Sequence, residues 1–371
     1  MGDDAYKIYT LHAGILEYIV YMYKDGKCVV TEIDNGGFTS NTPSSCIKHN
    51  TVSLPSGFVP VYISTFKSDS IEYKCISGYS NGTWYNYKIG YDSDGTMNLF
   101  VENSSAIPEE MKFVLRDPKS TLAVINKNTT HNNILCLYKE GDSSISVIYL
   151  DDANRIPRDI KTQIKIPDYT SIHSIIPLNG YYWSFIVNVN NDLYAVVLTA
   201  DSGVPSKFPD TVDGKTAIDL SLKNSDIQKI KPGSKETSFF YNVIKTRIDD
   251  AEYYVYVIGC FVKDNNDKMC IKLVSYGPYS CIGVQVQTLA VTCSSVLIHI
   301  ENDITSKVPA IKSMRCEPPI LHVSDYNSME IMVRTFIDDN FYFYRKHVTF
   351  NREIATNNEF NIIGENDILL K

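Results

Sequence analysis

A strand, polar turn, strand pattern recurs along nearly the whole chain and limits the folds open to it more than any other feature. Each copy joins two runs of β-branched and aromatic residues through a pair of small or polar residues. The turn tips, spaced by about 52 residues on average, are Asp25-Gly26, Asn81-Gly82, Gly141-Asp142, Asn190-Asn191, Asp249-Asp250, Ser294-Ser295 and Asp338-Asp339. Sequence periods of this size are typical of propellers and solenoids, and seven such units account for all 371 residues.

Some stretches contain four consecutive strands joined by short connections. Between about residues 162 and 199, four such runs are TQIKI, SIHSIIP, YYWSFIVNV and LYAVVLT. Short runs of β-branched and aromatic residues bounded by Gly, Asn, Asp or Pro indicate strands, and short connections make neighbouring strands antiparallel. The preceding unit follows the same plan, so its first run, MKFVL, is also predicted to be a strand.

Four-stranded antiparallel units repeated four to eight times are the blades of a β-propeller. We therefore predict an all-β protein, a β-propeller of about seven four-stranded antiparallel blades, in one domain over residues 1–371; six or eight blades remain open. Polar segments near 39–48 and 201–225 are expected to be loop insertions, the second with a short helix around Thr216 to Leu222. Two β-sandwich or jelly-roll domains are the alternative, since they also need many short strands with frequent turns.

Two further expectations concern the geometry of the blades. Aromatic residues follow four of the turn tips at similar offsets, which predicts equivalent positions in the hairpins; they are Trp84, Tyr194, Tyr253 and Tyr342. A closed ring leaves few free strand edges. The alternating run from Tyr6 to Leu11 is therefore predicted to pair in the same sheet as the hairpin that flanks Asp338-Asp339.

The charge and the apolar content exclude several classes of protein. A net charge of −8 and a pI near 5.4 provide no basic field for a phosphate backbone, so no nucleic-acid partner is expected. No stretch approaches the roughly 20 apolar residues that span a bilayer, and 44% hydrophobic residues suit a soluble folded protein. The protein is expected to be cytoplasmic if Met1 is the native start, and secreted if a signal peptide has been removed.

The nine cysteines show no close, metal-type spacing, so neither a metal site nor a cofactor is predicted. Thiols inside apolar runs are expected to be buried and unpaired; these are Cys75, Cys136, Cys260, Cys270 and Cys293. The other four stand nearer turns, where disulfides could form in an oxidising compartment; these are Cys28, Cys46, Cys281 and Cys316.

No catalytic motif stands out, and the catalytic and binding residues stay unassigned. The seven histidines are far apart, with no HxH or HExxH spacing. The acid pairs Asp151-Asp152, Asp249-Asp250 and Asp338-Asp339 could suit glycoside hydrolysis, but Asp is favoured in turns and adjacent strand residues point to opposite faces. Asp92-Ser-Asp94-Gly95 lacks the distal Glu of a calcium loop and is predicted to be a hairpin turn.

A rigid Tyr-rich ring with long loops and no recognisable catalytic set favours a non-catalytic binding or scaffolding β-propeller that recognises a protein or glycan partner. The first alternative is a propeller glycan hydrolase with an axial active site formed by residues distant in sequence. The second is a viral or surface structural protein that assembles through exposed strand edges.

Overall fold

The structure, a computed structural model, contains six antiparallel β-sheets and two short α-helices in the residues that it describes. It describes residues 5–13, 16–23, 26–34, 47–68, 71–114, 121–127, 133–139, 141–151, 155–168, 170–178, 182–201, 204–228, 239–248, 251–280, 291–308, 311–316, 319–325, 328–338, 340–351, 359–362 and 367–370. The chain divides into two compact units, Met1–Ile166 with Ala200–Lys207, and Pro167–Thr199 with Phe208–Lys371.

Three four-stranded sheets form the first unit, and in each one consecutive strands pair in chain order. The first sheet contains β1 (Ala5–Ala13), β2 (Leu16–Tyr23), β3 (Lys27–Asp34) and β4 (Ile47–Ser53). The second contains β5 (Val59–Ser68), β6 (Ile71–Ser80), β7 (Thr83–Tyr91) and β8 (Met97–Ala106), followed by helix α1 (Glu109–Val114). The third contains β9 (Thr121–Lys127), β10 (Asn133–Lys139), β11 (Ser144–Leu150) and β12 (Pro157–Lys165).

The other three sheets lie largely in the second unit. The fourth sheet contains β13 (Ser171–Leu178), β14 (Tyr182–Val189), β15 (Asp192–Asp201), β16 (Val204–Pro205) and β17 (Ile218–Lys223). The fifth contains β18 (Phe239–Ile248), β19 (Ala251–Lys263), β20 (Met269–Ser280) and β21 (Thr292–Ile298), followed by helix α2 (Ile300–Lys307). The sixth contains β22 (Met314–Cys316), β23 (Ile320–Asp325), β24 (Ser328–Ile337), β25 (Asn340–Asn351), β26 (Glu359–Ile362) and β27 (Asp367–Leu370).

Within the first unit, the second sheet buries both of its faces against its neighbours. Ile76 and Ile89 pack into a cluster with β2 and β3 of the first sheet, whereas Tyr62 and Trp84 pack into a cluster with β10 and β11 of the third. Trp84 is fully buried. A sheet that is apolar on both faces requires a packed layer on each side, which is the arrangement of a propeller blade.

In the second unit, the fifth sheet also buries both of its faces, and the alternation of side chains along β19 shows how this happens. Tyr256 and Ile258 pack against β14 and β15 of the fourth sheet, while Val257 and Phe261 pack against β24 and β25 of the sixth. Successive strand residues point to opposite faces, so one strand can supply both clusters. Four-stranded antiparallel meanders stacked face to face are the blades of a β-propeller, so the predicted fold class is confirmed over the sandwich alternative.

The described residues form six sheets, rather than the predicted seven, because one of the seven tips is not a turn. Asn81-Gly82 and Asn190-Asn191 have positive φ at both residues, as two-residue hairpin turns require. Ser294 and Ser295 instead lie inside β21, where they pair with β20. Serine has no preference for positive φ, and it fits a strand as readily as a turn.

The four aromatic residues that follow the turn tips were expected to occupy equivalent positions, and only some of them do. Tyr194 and Tyr342 each occupy the third ladder pair after the tip, on β15 and β25, each of which is third in the pairing order of its sheet. Tyr253 has the same offset but lies on the second strand, β19. Trp84 occupies the second pair, opposite Tyr79, and therefore points to the other face of its hairpin.

The predicted closure by the N-terminal strand is wrong. Strand β1, which includes Tyr6 to Leu11, pairs with β2 in the first sheet. Strand β25, which follows the Asp338-Asp339 tip, pairs with β24 on one side and with β26 and β27 on the other. The three strands that pair with β25 therefore lie close to it in sequence, and none of them is β1.

Two secondary-structure predictions are also corrected. The run MKFVL begins in helix α1, whose start follows Pro108 and contains Glu109 and Glu110, both helix-start signals. The segment around Thr216 to Leu222 contains strand β17, which pairs with β15, instead of a short helix. The insertion near 201–225 therefore adds a strand to the fourth sheet, and the one near 39–48 lies largely outside the described residues. Neither described helix is long and apolar enough to cross a membrane.

Cysteine burial follows the sequence prediction except at one position. Cys75, Cys136, Cys260 and Cys270 are free and buried, whereas Cys293 is free but exposed. Cys293 lies on β21, the outer strand of its sheet, on the same face as Ser295, which is also exposed. Two of the cysteines near turns, Cys28, which is buried, and Cys316, which is half-buried, form no disulfide in the described part of the chain, and Cys46 and Cys281 lie outside the described residues.

Candidate functional site

The acids that the sequence singled out act as turn formers where the structure describes them. Asp338 has a positive φ, and its carboxylate accepts hydrogen bonds from the backbone N–H groups of Lys312 and Ser313, the latter at 2.8 Å. These backbone bonds, led by the one from Ser313, hold the pKa of Asp338 below its ordinary value. Asp151 forms an ion pair with Arg158. Asp152, Asp249, Asp250 and Asp339 lie outside the described residues.

The segment that resembles a calcium loop is a hairpin turn, as predicted. Its two acids, Asp92 and Asp94, each accept a hydrogen bond of 2.9 Å from the backbone N–H of Thr96. Gly95 adopts a φ of 82°, which closes the connection between β7 and β8. The carboxylates therefore serve the turn itself.

Exposed apolar side chains stand on both sides of this turn. We call them the β8 surface, and its members are Tyr91, the last residue of β7, and Phe100 and Val101, which as adjacent residues of β8 lie on opposite faces of the sheet. Their exposed fractions are 50%, 40% and 59%, and they are three of the five large hydrophobic residues exposed in the described part of the chain. Strand β8 therefore carries an exposed apolar side chain on each face of the sheet.

A polar network borders the β8 surface. The hydroxyl of Tyr91 donates to the Glu32 carboxylate, and the Asn50 side-chain amide donates to Glu32 Oε1 at 3.2 Å and to the Tyr91 hydroxyl oxygen at 3.4 Å. Partial burial and the nearby Glu32 raise the pKa of Tyr91 to about 12. The tyrosine therefore stays neutral at physiological pH and keeps its proton as a donor.

The strongest grouping of chemically versatile side chains in the described residues is in the fifth sheet. The Asp264 carboxylate, the Cys270 thiol and the His299 imidazole place one ligand atom each within 4.8 Å of one another. His299 Nδ1 is 3.3 Å from Cys270 Sγ and 3.4 Å from Asp264 Oδ2. We call these three residues the Asp-Cys-His cluster.

Strand register produces the Asp-Cys-His cluster. Ile271 of β20 pairs with Ile298 of β21, so extending the ladder by one residue places Cys270 opposite His299. Asp264 begins the turn between β19 and β20, and its Oδ1 accepts the backbone N–H groups of Asn266 and Lys268. No local motif joins the three positions in sequence, which is why the sequence alone does not reveal them.

The cluster is poorly arranged for nucleophilic catalysis. In a working triad the nucleophile and the orienting acid bond to different imidazole nitrogens, but here both partners approach Nδ1. Burial, and then the Asp264 carboxylate, raise the pKa of the Cys270 thiol to about 11, so the thiolate is scarce at neutral pH. The three donor atoms are better placed to share a proton or a cation.

No protein-family profile matches the chain, and no curated protein matches it in sequence. The chain is similar in structure to the WD40 domain of SCAP from fission yeast, with 7% identity, coverage of 96% of this chain and 73% of that one, and a TM-score of 0.39. It is similar to the Vanderwaltozyma polyspora Nup133 β-propeller domain, with 10% identity, 94% and 73% coverage, and a TM-score of 0.37. It is also similar to β-fructofuranosidase from Schwanniomyces occidentalis, with 8% identity, 100% and 83% coverage, and a TM-score of 0.39. At such low identities and scores, no activity or partner is transferred to this chain.

Proposed function

We propose that the protein is a non-catalytic binding module whose β8 surface receives an extended segment of a partner protein by strand addition. The single observation that carries this proposal is the combination of an edge strand and exposed apolar side chains in β8. An edge strand offers a row of unpaired backbone groups to a second chain, and pockets or side chains beside it select the sequence.

Strand β8 has few of the features that normally protect an edge. Among the described strands it pairs with β7 alone, and its ten residues, MNLFVENSSA, contain no Lys and no Pro. The ladder is regular from Met97 to Val101 before a shift in register between Asn86 and Tyr87 of β7. This register shift and the single charge of Glu102 give little protection against edge-to-edge pairing to a strand of ten residues.

The side chains around β8 indicate the chemistry of the partner. The ring of Phe100 lies over Gly90 of the adjacent strand on one face of the sheet, whereas Val101 and Tyr91 lie on the other face. Four acids are close by in the structure or the chain, namely Glu32, which accepts the Tyr91 hydroxyl, Asp92 and Asp94 of the turn, and Glu102 next to Val101, whereas the β7–β8 ladder contains one base, Lys88. Complementary charge improves the rate and specificity of association. The partner segment is therefore expected to alternate apolar and basic residues.

A random peptide library displayed on phage and selected against the full chain tests this proposal. Enriched peptides should alternate apolar and Lys or Arg residues. Their affinity should fall at least about tenfold, or about 1.4 kcal/mol, for the Phe100→Lys and Val101→Lys variants. Val291→Lys is the matched control, because Val291 is also exposed but lies outside the β8 surface. N-methylation at alternate peptide positions should abolish binding, because it removes the backbone donors that strand addition needs.

Two other outcomes would contradict this proposal. Peptides that bind the Phe100→Lys variant as tightly as the native protein would exclude the β8 surface. A native dimer that Val101→Lys dissociates, seen by sedimentation, would mean that a second copy of the chain occupies the edge. Such a dimer would favour the structural-protein alternative over a binding module.

A glycan ligand is the second candidate, and the Tyr91 network favours it. An exposed aromatic ring beside a carboxylate and an amide can stack on a sugar while the polar groups meet its hydroxyls. A glycan array with the native protein and with Tyr91→Ala distinguishes the two ligands. Binding that requires Tyr91 but tolerates Val101→Lys would favour a glycan, and no signal on the array would leave the peptide as the ligand.

A further inference from the structure

We propose that Asp264, Cys270 and His299 form a binding site for a zinc ion in the fifth sheet. The donor set carries the proposal, since one thiol sulfur, one imidazole nitrogen and one carboxylate oxygen are the three ligand types that zinc accepts in proteins. They come from three different elements, the β19–β20 turn, strand β20 and the residue before helix α2. The site does not depend on the proposed binding function.

The distances suit a tetrahedral ion. With Zn–S of about 2.3 Å and Zn–N or Zn–O of about 2.0–2.2 Å, neighbouring ligand atoms of a tetrahedron lie about 3.4–3.6 Å apart. Cys270 Sγ is 3.3 Å and Asp264 Oδ2 is 3.4 Å from His299 Nδ1. Two of the three distances between ligand atoms are therefore within a few tenths of an ångström of the tetrahedral values, and the third, between Cys270 Sγ and the Asp264 carboxylate, is at most 4.8 Å.

The Asp264 carboxylate is already oriented for this role. Its Oδ1 is held by the N–H groups of Asn266 at 2.8 Å and Lys268 at 3.0 Å, which leaves Oδ2 directed at the imidazole. Hydrogen bonds of this kind fix a ligating carboxylate and are as much a part of metal sites as the ligands themselves. The side chain of Asp264 is only 9% exposed, so little competing water reaches it.

The surrounding charge also favours a cation. Besides Asp264, Glu301 lies beside the site, where its carboxylate accepts the backbone N–H of Met269, the residue before Cys270, at 2.8 Å. Lys268 offsets part of this charge through its ion pair with Glu301 at 2.7 Å. A bound divalent ion would replace the thiol proton, which leaves to solvent as the sulfur–zinc bond forms.

Three protein ligands leave the fourth position of the tetrahedron open. The His299 side chain is 45% exposed, so that position would face solvent and hold a water molecule. An ion here would join the β19–β20 turn to the start of α2, two segments that otherwise meet through Glu301, which accepts the backbone N–H of Met269 at 2.8 Å.

Cobalt(II), which replaces zinc with the same geometry but absorbs visible light, tests the site in the reduced full chain. We expect one Co²⁺ per chain, a thiolate-to-cobalt charge-transfer band, and displacement of that band by one equivalent of Zn²⁺. The Cys270→Ser variant should lose the band. The Asp264→Asn variant should keep it but bind Co²⁺ at least about tenfold more weakly. Cys293→Ser and Asp267→Asn remove an exposed thiol and an exposed acid of the same sheet, and they should bind as the native chain does.

A native chain without the charge-transfer band, or a Cys270→Ser variant that retains it, would overturn the proposal. If circular dichroism shows that Cys270→Ser does not fold, Asp264→Asn decides the matter, because its side chain keeps nearly the same volume. An unchanged Co²⁺ affinity in a folded Asp264→Asn protein would equally overturn the site.

Discussion

The hydroxyl of Tyr344 donates a hydrogen bond of 2.8 Å to the carboxylate of Asp303, and this bond fastens helix α2 to strand β25. The Lys346 ammonium lies 3.3 Å from the same carboxylate oxygen. Burial, and then the bond to Asp303, raise the pKa of Tyr344 above its ordinary value, so the tyrosine is a donor at neutral pH. This polar contact adds to the apolar attachment of the helix, whose Ile300 and Ile304 are buried in the cluster that the fifth and sixth sheets form.

Tyr344→Phe is expected to lower the free energy of unfolding by about 1.5–2 kcal/mol, because it removes a bond to a charged acceptor. Asp303→Ala should cost about 2–3 kcal/mol, since it leaves the buried Tyr344 hydroxyl without its acceptor. Urea denaturation of both single variants and the double variant measures the coupling. Tyr342→Phe, on the same strand but not bonded to Asp303, is the control. A coupling below about 0.3 kcal/mol would show that the two side chains do not stabilise each other.

Gly78→Ala is expected to destabilise the second sheet by more than about 3 kcal/mol. A Cβ at Gly78 would overlap the backbone carbonyl oxygen of Val59, which cannot move without breaking the ladder. Gly259→Ala should cost less, because the overlapping atoms belong to the Phe240 ring, which can rotate away. Gly214→Ala meets no atom within 4 Å and serves as the control. Equal melting temperatures for the Gly78 and Gly214 variants would contradict the close approach of β5 and β6.

Asp338→Asn is expected to lower stability at neutral pH but not in acid. The substitution keeps an oxygen acceptor and a residue that tolerates positive φ, so it removes mainly the charge. Because the pKa of Asp338 is lower in the folded state than the ordinary 3.8, its contribution is complete above that value and is lost as the pH falls through the folded pKa. The difference in urea midpoint from the native protein should therefore shrink to zero in acid. Asp142→Asn, at another turn tip, should show no comparable loss at neutral pH.

Thiol reactivity should separate one cysteine from the buried ones. The Cys293 residue is exposed and should react with a chromogenic disulfide reagent in the native protein, although partial burial of its sulfur, and then the Asp219 carboxylate, raise the pKa of the thiol to about 11 and slow the reaction. Cys28 and Cys260, whose burial raises both pKa values to about 12, should react only in denaturant. The Cys293→Ser variant should show one fewer reactive thiol in the native state. Peptide mapping that finds native labelling at Cys28 or Cys260 would mean that the sheets open readily.

The hairpins could be predicted from sequence because their chemistry is local. Asn81-Gly82 and Asn190-Asn191 supply positive φ at two successive residues, which few other pairs can do, and both are turns. Ser294-Ser295 lacks that property, and the strand pairing of its neighbours overrides the apparent period. The predicted count of about seven blades is therefore higher than the six sheets of the described residues, while the predicted propeller architecture is confirmed.

The helices and the Asp-Cys-His cluster were missed for different reasons. The start of α1 carries Pro108 and two glutamates, signals that were available, but the apolar run after them fits a strand equally well. The cluster depends on register, since Cys270 meets His299 only because Ile271 pairs with Ile298. Contacts made by pairing between segments have no signature in the spacing of the residues themselves.

Every described strand pairs with a strand that is close in sequence. Among the paired residues, the largest separation along the chain is that between Asp192 of β15 and Lys223 of β17. Closing loops of this size costs little chain entropy, so each sheet can form independently of distant segments. During synthesis, a sheet can complete its hydrogen bonds before the first strand of the next one leaves the ribosome. The nascent chain then exposes only the edge and face of its most recent sheet, which limits the time available for aggregation.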